Sequence, residues 1–488
     1  MKRIKEFSKW LVLIASLIII PSCAINPVTG ERQLMLMSEA QEIQMGKEYD
    51  PQVISSFGLY EDEDLMTFIR EKGTEMGKLS HRPELEYHFR ILDSPVVNAF
   101  AVPGGYIYFT RGILAQFNSE AELMGVLGHE MGHITARHTV SQQSKQQLGQ
   151  LLLIGGMIAS EKFRDFAGYA MQGMQLLFLK YSRDNERQSD RIGVQYASKM
   201  HYDAQEMAEF FNVLHDMHSG SGQSPVPTFL STHPDPEDRY NTVTRLSQQW
   251  KDSLGYSDWI VEKEGYLDRI EGMVYGEDPR QGFVENNLFY HPEMKFQFPV
   301  PSGWQLQNTP MQVQMAPSDG NALMIFTLAK QESPEEAARA TLKDLNLSLI
   351  QSDAVRVNGM PAVVTVSEQV SQNQQTGEEQ SIRVLSYFIE YKGSVYIFHG
   401  VSAGPDFNSY TRSFEATMKN FDELNDPAKL NVQPQRIRVR EVRNSTTVAN
   451  ALRSFGVPED RLDEFALLNK KEVTDRVQSG ERLKTLGK

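Results

Sequence analysis

Residues 128–133 have the sequence Gly-His-Glu-Met-Gly-His, which is the strongest indication of the fold in this chain. Two residues four apart lie on one face of a helix, about 6 Å from each other, so the imidazoles of His129 and His133 can reach one metal ion. Glu130 points in a neighbouring direction, where its carboxylate can accept a proton from an attacking water. We therefore expect a helix over Ser119–Thr139 that carries a metal-dependent hydrolytic site. The alternative is a surface helix with two unrelated histidines.

A metal site of this kind needs a third protein ligand, for which the sequence offers Glu186. Catalytic zinc keeps three protein ligands and one open position. Cys23 is the only cysteine, so the third ligand must be His, Asp or Glu. Glu186 follows an apolar, helix-like run at residues 171–179. Asp190 lies one helical turn beyond it, where it can hydrogen-bond a ligand histidine or act at the reacting centre. Alone, such a pair is most often a solvated helix face.

Several motifs together resemble a known family. The chain resembles the HtpX-like and CAAX-prenyl-protease-like zinc metallopeptidases, and most closely their BepA-like branch of periplasmic lipoproteins. Two departures are visible: Ser189 stands where the family often has Ala, and the helical-repeat tail typical of that branch is not seen. The resemblance covers residues 20–245 and rests on Asn26–Gly30, Asn98–Gly105, Gly128–His133, Tyr181–Glu186 with Asp190, and Thr232–Arg239.

This resemblance implies a fold and a role for each site residue. The implied domain is a mainly helical, zincin-type metallopeptidase domain with a small sheet. It holds one zinc ion (Zn²⁺) per chain through His129, His133 and Glu186. Glu130 is then the general base, and Asp190 is the residue usually assigned as proton donor.

His233 leaves three interpretations open. It precedes a proline, which indicates an extended or turn geometry rather than a helix interior. There it can stabilise the oxyanion, or it can occupy the open metal position and silence the enzyme until a substrate displaces it. It can also be a structural histidine paired with Asp235 or Asp238. His138 lies five residues beyond His133, about 140° around the predicted helix, and is predicted to be structural.

The run Tyr106–Phe109 suggests how a substrate is held. It follows the chain-breaking Val102–Gly105 and has the composition of a strand. At a sheet edge beside the predicted helix, it can pair with an extended peptide through main-chain hydrogen bonds, a mode that selects unfolded chains. An internal strand is the equal alternative.

The first 22 residues predict an export signal. A basic start precedes the apolar run Leu11–Ile20, and the small residue Ser22 stands before Cys23. This arrangement resembles a bacterial lipobox, in which Cys23 is lipidated and becomes the mature amino terminus; a plain secretory signal is the alternative. A lipid holds a protein to a membrane without a membrane-spanning segment. Ala24 is not acidic, which favours the outer membrane, so we expect a lipid-anchored protein of the bacterial periplasm.

The hydrophobic pattern changes from helical periodicity to the alternation of strands along the chain, which predicts an α+β protein with several parts. The net charge of −14 excludes a nucleic-acid partner, because phosphate binding needs a basic face. The end of the chain resembles a degenerate LysM module, a glycan-binding fold, in its strand–helix–helix–strand order. The predicted parts are a lipoprotein signal peptide at 1–22, a lipidated tether at 23–40, the metallopeptidase domain at 41–280, a small α+β accessory domain at 285–428 and the LysM-like module at 433–488.

Together these features predict a zinc endopeptidase that cleaves unfolded or misassembled cell-envelope proteins. Its expected partners are these substrates, the membrane through the lipid on Cys23, and peptidoglycan or the outer-membrane assembly machinery through the last two parts of the chain. The rival hypothesis is a chaperone or assembly factor for outer-membrane proteins in which proteolysis is latent. A third hypothesis is a cell-wall lipoprotein with a vestigial zinc site.

Overall fold

The computed structural model describes residues 23–144, 181–219, 228–233, 236–372 and 379–487. The predicted signal peptide at 1–22 and the apolar run at 171–179 lie outside the described residues. Within the described residues, no helix combines the length and the apolar character that a bilayer span requires. Helices dominate the first half of the chain and strands the second, which agrees with the expected α+β class.

The first half is mainly helical, and its helices begin at side-chain caps. Ser38 and Gln41 form a reciprocal capping box at the first helix, and Asp62 caps the second. We call Glu120–Thr135 the motif helix and Arg183–Lys199 the carboxylate helix. The helices of this half are Glu39–Phe57, Glu63–Leu79, Arg111–Gln116, Glu120–Thr135, Arg183–Lys199, Gln205–Ser219, Thr228–Thr232, Pro236–Leu254 and Lys263–Ile270, and residues 138–144 are also helical.

A three-stranded sheet packs beside the motif helix. Its strands are His88–Leu92, Ala99–Val102 and Tyr106–Thr110. The last of these is central, since it pairs in parallel with the first and antiparallel with the second. The edge position considered for Tyr106–Phe109 is therefore wrong, because ladder hydrogen bonds occupy both sides of this strand. Ala99–Val102 is an edge strand instead, and it packs against the motif helix.

The segment predicted as a lipidated tether contains a folded hairpin. Strands Cys23–Ile25 and Arg32–Leu34 pair antiparallel, and the side chain of Asn26 accepts backbone hydrogen bonds in the turn between them. The same Asn26 side chain is fully buried and donates to the carbonyl of Ala136, 3.3 Å away, at the end of the motif helix. The hairpin is thereby attached to the helical first half of the chain.

The predicted accessory domain is built on a seven-stranded antiparallel sheet. A four-stranded sheet and two helices, Pro334–Asp344 and Phe407–Met418, accompany it. Ser333 caps the first of these helices. Along the large sheet the strand order is Ser348–Val357, Met360–Gln372, Glu379–Tyr391, Ser394–Ala403, Ala322–Leu328, Gln312–Pro317 and Trp304–Asn308; the small sheet holds Asp422–Glu423, Phe296–Pro299, Leu288–His291 and Phe283–Glu285.

The last part of the chain has the predicted strand–helix–helix–strand order. Arg436–Glu441 pairs antiparallel with Arg482–Gly487, and Val448–Ser454 and Leu462–Leu468 lie between them in sequence. This part has an apolar core of its own. Ile437, however, packs into the core of the helical first half of the chain. The resemblance to a LysM module stays a prediction.

Candidate metal centre

The motif helix and the carboxylate helix approach closely because glycines line their contact. Ser119 caps the first helix and Ser182 the second. A Cβ added at Gly193 would lie 2.9 Å from the backbone nitrogen of His129, and one added at Gly128 would lie 3.0 Å from the Cα of Gly193. Both distances are shorter than ordinary van der Waals contact, so a side chain at either glycine would push the helices apart.

This close approach gathers two histidines and a glutamate around one point. The Nε2 atoms of His129 and His133 are 3.1 Å apart. The carboxylate of Glu186 lies 3.5 Å from each of these nitrogens. All three side chains are buried. The structure therefore brings together, within coordination reach, the three residues that the sequence offers as ligands.

His233 is the fourth member of this cluster. One ligand atom from each of the four residues lies within 4.8 Å of the others. The Nδ1 of His233 is 3.2 Å from His129 Nε2 and 3.0 Å from a Glu186 oxygen. Phe229 fixes its ring, because the two rings stack with centroids 4.4 Å apart. The backbone N–H of His233 also donates to the carbonyl of Phe229.

Asp190 touches His129 on the side away from the cluster. The Nδ1–H of His129 donates to Asp190 Oδ1 at 2.8 Å. Arg239 holds the same carboxylate with two further hydrogen bonds, of 2.7 and 2.9 Å. Burial alone would raise the pKa of Asp190, but the charge of Arg239 and the bond from His129 lower it to about 2. Asp190 is therefore ionised at neutral pH.

Glu130 lies beside the cluster with free hydrogen-bonding capacity. Its side chain is fully buried, and neither carboxylate oxygen has a hydrogen-bond partner among the described residues. Its Oε1 is 3.6 Å from His233 Nε2. Burial raises the pKa of Glu130 above its usual value. A buried carboxylate without a donor is costly, so this position fits a group that acts on a bound water or substrate.

Comparison with known proteins gives the family of this region. Residues 66–247 match the model of peptidase family M48. The chain carries a peptidase family M48 domain. This confirms the family predicted from the sequence motifs, and with it the metallopeptidase class of the domain.

Relatives of the M48 domain include two kinds of named protease. The beta-barrel assembly-enhancing protease of Yersinia pestis is 29% identical over 270 residues, 53% of this chain and 54% of that protein. Its namesake in Escherichia coli (strain K12) is 29% identical over 233 residues, 46% and 47% of the two chains. The mitochondrial metalloendopeptidase OMA1 of Danio rerio is 27% identical over 254 residues, 48% and 52%. This chain therefore spans about half the length of the relatives that it matches.

Similarity to solved structures is weak. The match with the solution structure of cyanobacterial PsbP (CyanoP) from Synechocystis sp. PCC 6803 covers 28% of this chain and 91% of the CyanoP chain. The identity is 12% and the TM-score is 0.22. A likeness at this level supports no conclusion about function.

Two residues of the M48 domain contact the cluster in ways that the sequence did not reveal. Arg239 belongs to a recognised motif, yet no spacing rule predicts its bond to Asp190. The sequence predicts that His138 lies about 140° from His133 on a single long helix, and this prediction is wrong. The motif helix ends at Thr135, and Arg137 adopts a left-handed conformation with φ of 56°. The chain turns at residues 136–137, and His138 Nδ1 lies 3.1 Å from His133 Nδ1.

The donor set of the M48 domain fits a metal ion. Because His129 gives its Nδ1 proton to Asp190, its Nε2 carries a lone pair towards the cluster. Burial lowers the pKa of His133 well below its usual value, which keeps that ring neutral, as a metal ligand must be. Two imidazole lone pairs and the Glu186 carboxylate therefore face one another, and His233 Nδ1 lies beside the same carboxylate. A shared cation is what such an arrangement accommodates.

Proposed function

We propose that this chain is a zinc-dependent endopeptidase that hydrolyses peptide bonds of unfolded or misassembled cell-envelope proteins. The observation that carries the proposal is the convergence of His129, His133 and Glu186 inside an M48 domain. Two imidazoles and a carboxylate are a common ligand set of catalytic zinc, and cysteine thiolates are not needed. One such cluster occurs among the described residues, so we propose one zinc ion per chain.

The chain's own residues supply the rest of the chemistry. Bound zinc would polarise the scissile carbonyl and make an attacking water more acidic. Glu130 has two unpartnered oxygens and a raised pKa, which suits a general base that takes the proton of that water. Asp190 is ionised and bonded to His129, and this supports a role in orienting the ligand rather than the role of proton donor.

For His233 we propose the second of its three interpretations, a ligand that closes the metal site. Its Nδ1 belongs to the ligand cluster, and its ring is held by Phe229. A closed set of four protein ligands leaves no position for a substrate, so His233 must move before the enzyme acts. Removal of this ring would then open the site.

The envelope location rests on the relatives and on the start of the described chain. Two relatives are named beta-barrel assembly-enhancing protease, which favours envelope proteins as substrates. We keep lipidation of Cys23 as part of the proposal, with anchoring at the outer membrane. Asn26, three residues later, is buried against the motif helix. A lipid at Cys23 would therefore hold the M48 domain close to the membrane surface, because three residues span at most about 10 Å.

The second candidate function is an assembly factor whose proteolysis is latent. The closed ligand cluster favours it, since a silent site leaves the chain free to act by binding alone. The two candidates differ in what Glu130 does. Under the protease proposal, cells that carry Glu130→Gln lose the envelope function of the chain. Under the assembly proposal, these cells keep it.

The direct test of the protease proposal compares three purified, zinc-loaded proteins on casein. We expect Glu130→Gln to lower the rate by a factor on the order of 10²–10⁴, the usual contribution of a general base. We expect His233→Ala to raise it on the order of tenfold, because the open site no longer has to be uncovered. Hydrolysis that is unchanged in Glu130→Gln would refute the role of this residue, and a fall in His233→Ala would show that His233 acts in catalysis.

Natural substrates can be found with the same pair of variants. Envelope extracts are incubated with the His233→Ala protein and with the double variant that also carries Glu130→Gln. Peptides released by the first protein and not by the second identify the cleaved proteins. We expect them to come from envelope proteins in unfolded form, and release from native, folded proteins alone would contradict the proposed substrate class.

A further inference from the structure

His138 stands next to the metal ligands although it belongs to neither of the two helices that carry them. The motif helix ends at Thr135, and residues from 138 onward form another helix. A turn with Arg137 in the left-handed conformation connects the two. As a result the rings of His133 and His138 lie edge to face, with centroids 5.0 Å apart. Both side chains are buried.

Each nitrogen of His138 has a partner that tells which atom carries the proton. Its Nε2 lies 3.0 Å from the side-chain oxygen of Gln188, which can only accept a hydrogen bond. With the Gln188 amide in this orientation, the proton of His138 is on Nε2. Its Nδ1 then carries a lone pair, and this atom lies 3.1 Å from His133 Nδ1 and 3.4 Å from Ser189 Oγ. Both of these neighbours can donate to it.

The tautomer of His133 follows from this arrangement. Because His138 Nδ1 accepts, His133 Nδ1 must hold the proton that it donates. The remaining lone pair of His133 is then on Nε2, the atom that faces His129 and Glu186. His129 is fixed in the same tautomer by a carboxylate, and His133 by a neutral imidazole. The two ligand rings thus have different orienting partners.

We propose that His138, itself held by Gln188, is a positioning residue that fixes the tautomer and ring direction of His133 for metal binding. The inference rests on the proposed metal site. Gln188 lies on the carboxylate helix, two residues after Glu186. The pair therefore also links the ring of one ligand to the helix that carries another. Groups that orient a metal-bound histidine in this way typically contribute a factor of about 10–100 to metal affinity.

The test is the zinc affinity of the purified protein, measured by competition with a chelator. We expect His138→Ala to bind zinc about 10–100-fold more weakly than the wild type. His138→Gln should stay within a few-fold of the wild type, because its side-chain oxygen can still accept from His133. His399→Ala is the matched control, since His399 is a buried histidine of the accessory domain and lies outside the cluster.

A second variant separates orientation from folding. Gln188→Leu leaves both histidines in place and removes only the acceptor that sets the His138 tautomer, so we expect a smaller but measurable loss of zinc affinity. Thermal unfolding without metal shows whether each variant is folded. Wild-type affinity in folded His138→Ala or in Gln188→Leu would overturn the role of His138 alone. Failure of the wild type to bind zinc would overturn the metal site together with it.

Discussion

Arg239 and Asp190 are both buried, and they hold each other through two hydrogen bonds behind His129. The guanidinium also stacks on the ring of Phe211, 3.9 Å from its centroid. A charge in such a place tolerates burial only while its partner is present. The position of His129, a proposed metal ligand, thus depends on the Asp190–Arg239 ion pair behind it.

We expect Arg239→Met to lower the free energy of unfolding of the M48 domain by about 3–5 kcal/mol, because it leaves the Asp190 carboxylate buried and unpaired. The double variant with Asp190→Ala should lose less than the sum of the two single changes. Denaturant unfolding monitors all three proteins. Arg187→Ala is the control, since the partners of Arg187 are exposed and its loss should matter far less. Strictly additive losses would contradict the coupling.

The sequence alone predicts the relative positions of site residues that lie within one or two turns of the same helix. His129, Glu130 and His133 need only helix geometry, which their spacing supplies. Arg239 and His138 act across the fold, on side chains that local periodicity does not relate to them. The prediction for His138 failed for a further reason: nothing in the sequence marks Arg137 as the left-handed residue that ends the motif helix.

The position of the candidate metal site depends on the close packing of the motif helix against the carboxylate helix, which glycines permit. Gly128 and Gly193 let the two backbones touch, and a Cβ at Gly132 would also lie only 3.1 Å from the Cα of Ser189. Sequence motifs indicated both helices. The need for small residues at their contact becomes visible only when the crossing point is known.

We expect Gly193→Ala to weaken zinc binding by more than tenfold while most helical structure remains. The added Cβ would meet the backbone nitrogen of His129 at 2.9 Å, and relief of this overlap moves Glu186 away from the histidines. Isothermal titration with zinc measures the effect. Lys199→Ala, at an exposed position of the same helix, is the control. Wild-type zinc affinity in Gly193→Ala would show that the helices can separate without loss of the site.

In the whole molecule, the last part of the chain docks on the start of the motif helix. Lys470 forms ion pairs with the buried Glu122, at 2.5 Å, and with Glu206, at 3.2 Å. The Nζ of Lys484 is buried and lies 2.9–3.2 Å from the carbonyl oxygens of three consecutive residues, 115 to 117, that precede the motif helix. Residues 433–487 therefore pack against the M48 domain.

This docking should depend on pH through Lys484. Burial lowers the pKa of Lys484 from 10.5 to about 7, while Glu122 acts to raise it and Lys470 to lower it. Between pH 7 and 10.5 the unfolded chain binds a proton that the folded chain does not, so stability rises with pH in this window. We expect the melting temperature of the wild type, relative to Lys484→Met, to increase from pH 7 to pH 9. A difference that stays constant or shrinks would contradict the shifted pKa.

For the whole molecule, the sequence predicts which regions are helical and which are strand-rich better than it predicts how these regions pack together. The change from helical to alternating patterns indicated where strands begin to dominate, and the strand–helix–helix–strand order near the end agrees with the structure. The order of strands in the seven-stranded sheet and the docking of Lys470 on Glu122 depend on contacts between distant parts of the chain. Periodicity carries no information about such contacts.

A crystal structure of the zinc-loaded protein, with anomalous data collected on both sides of the zinc absorption edge, would locate the metal directly. We expect one zinc peak, about 2.0–2.2 Å from the Nε2 atoms of His129 and His133 and from a carboxylate oxygen of Glu186. Density joining the ion to His233 would support the closed form. The absence of a zinc peak at this cluster, or a fully loaded zinc site elsewhere, would refute the proposed metal site at His129, His133 and Glu186.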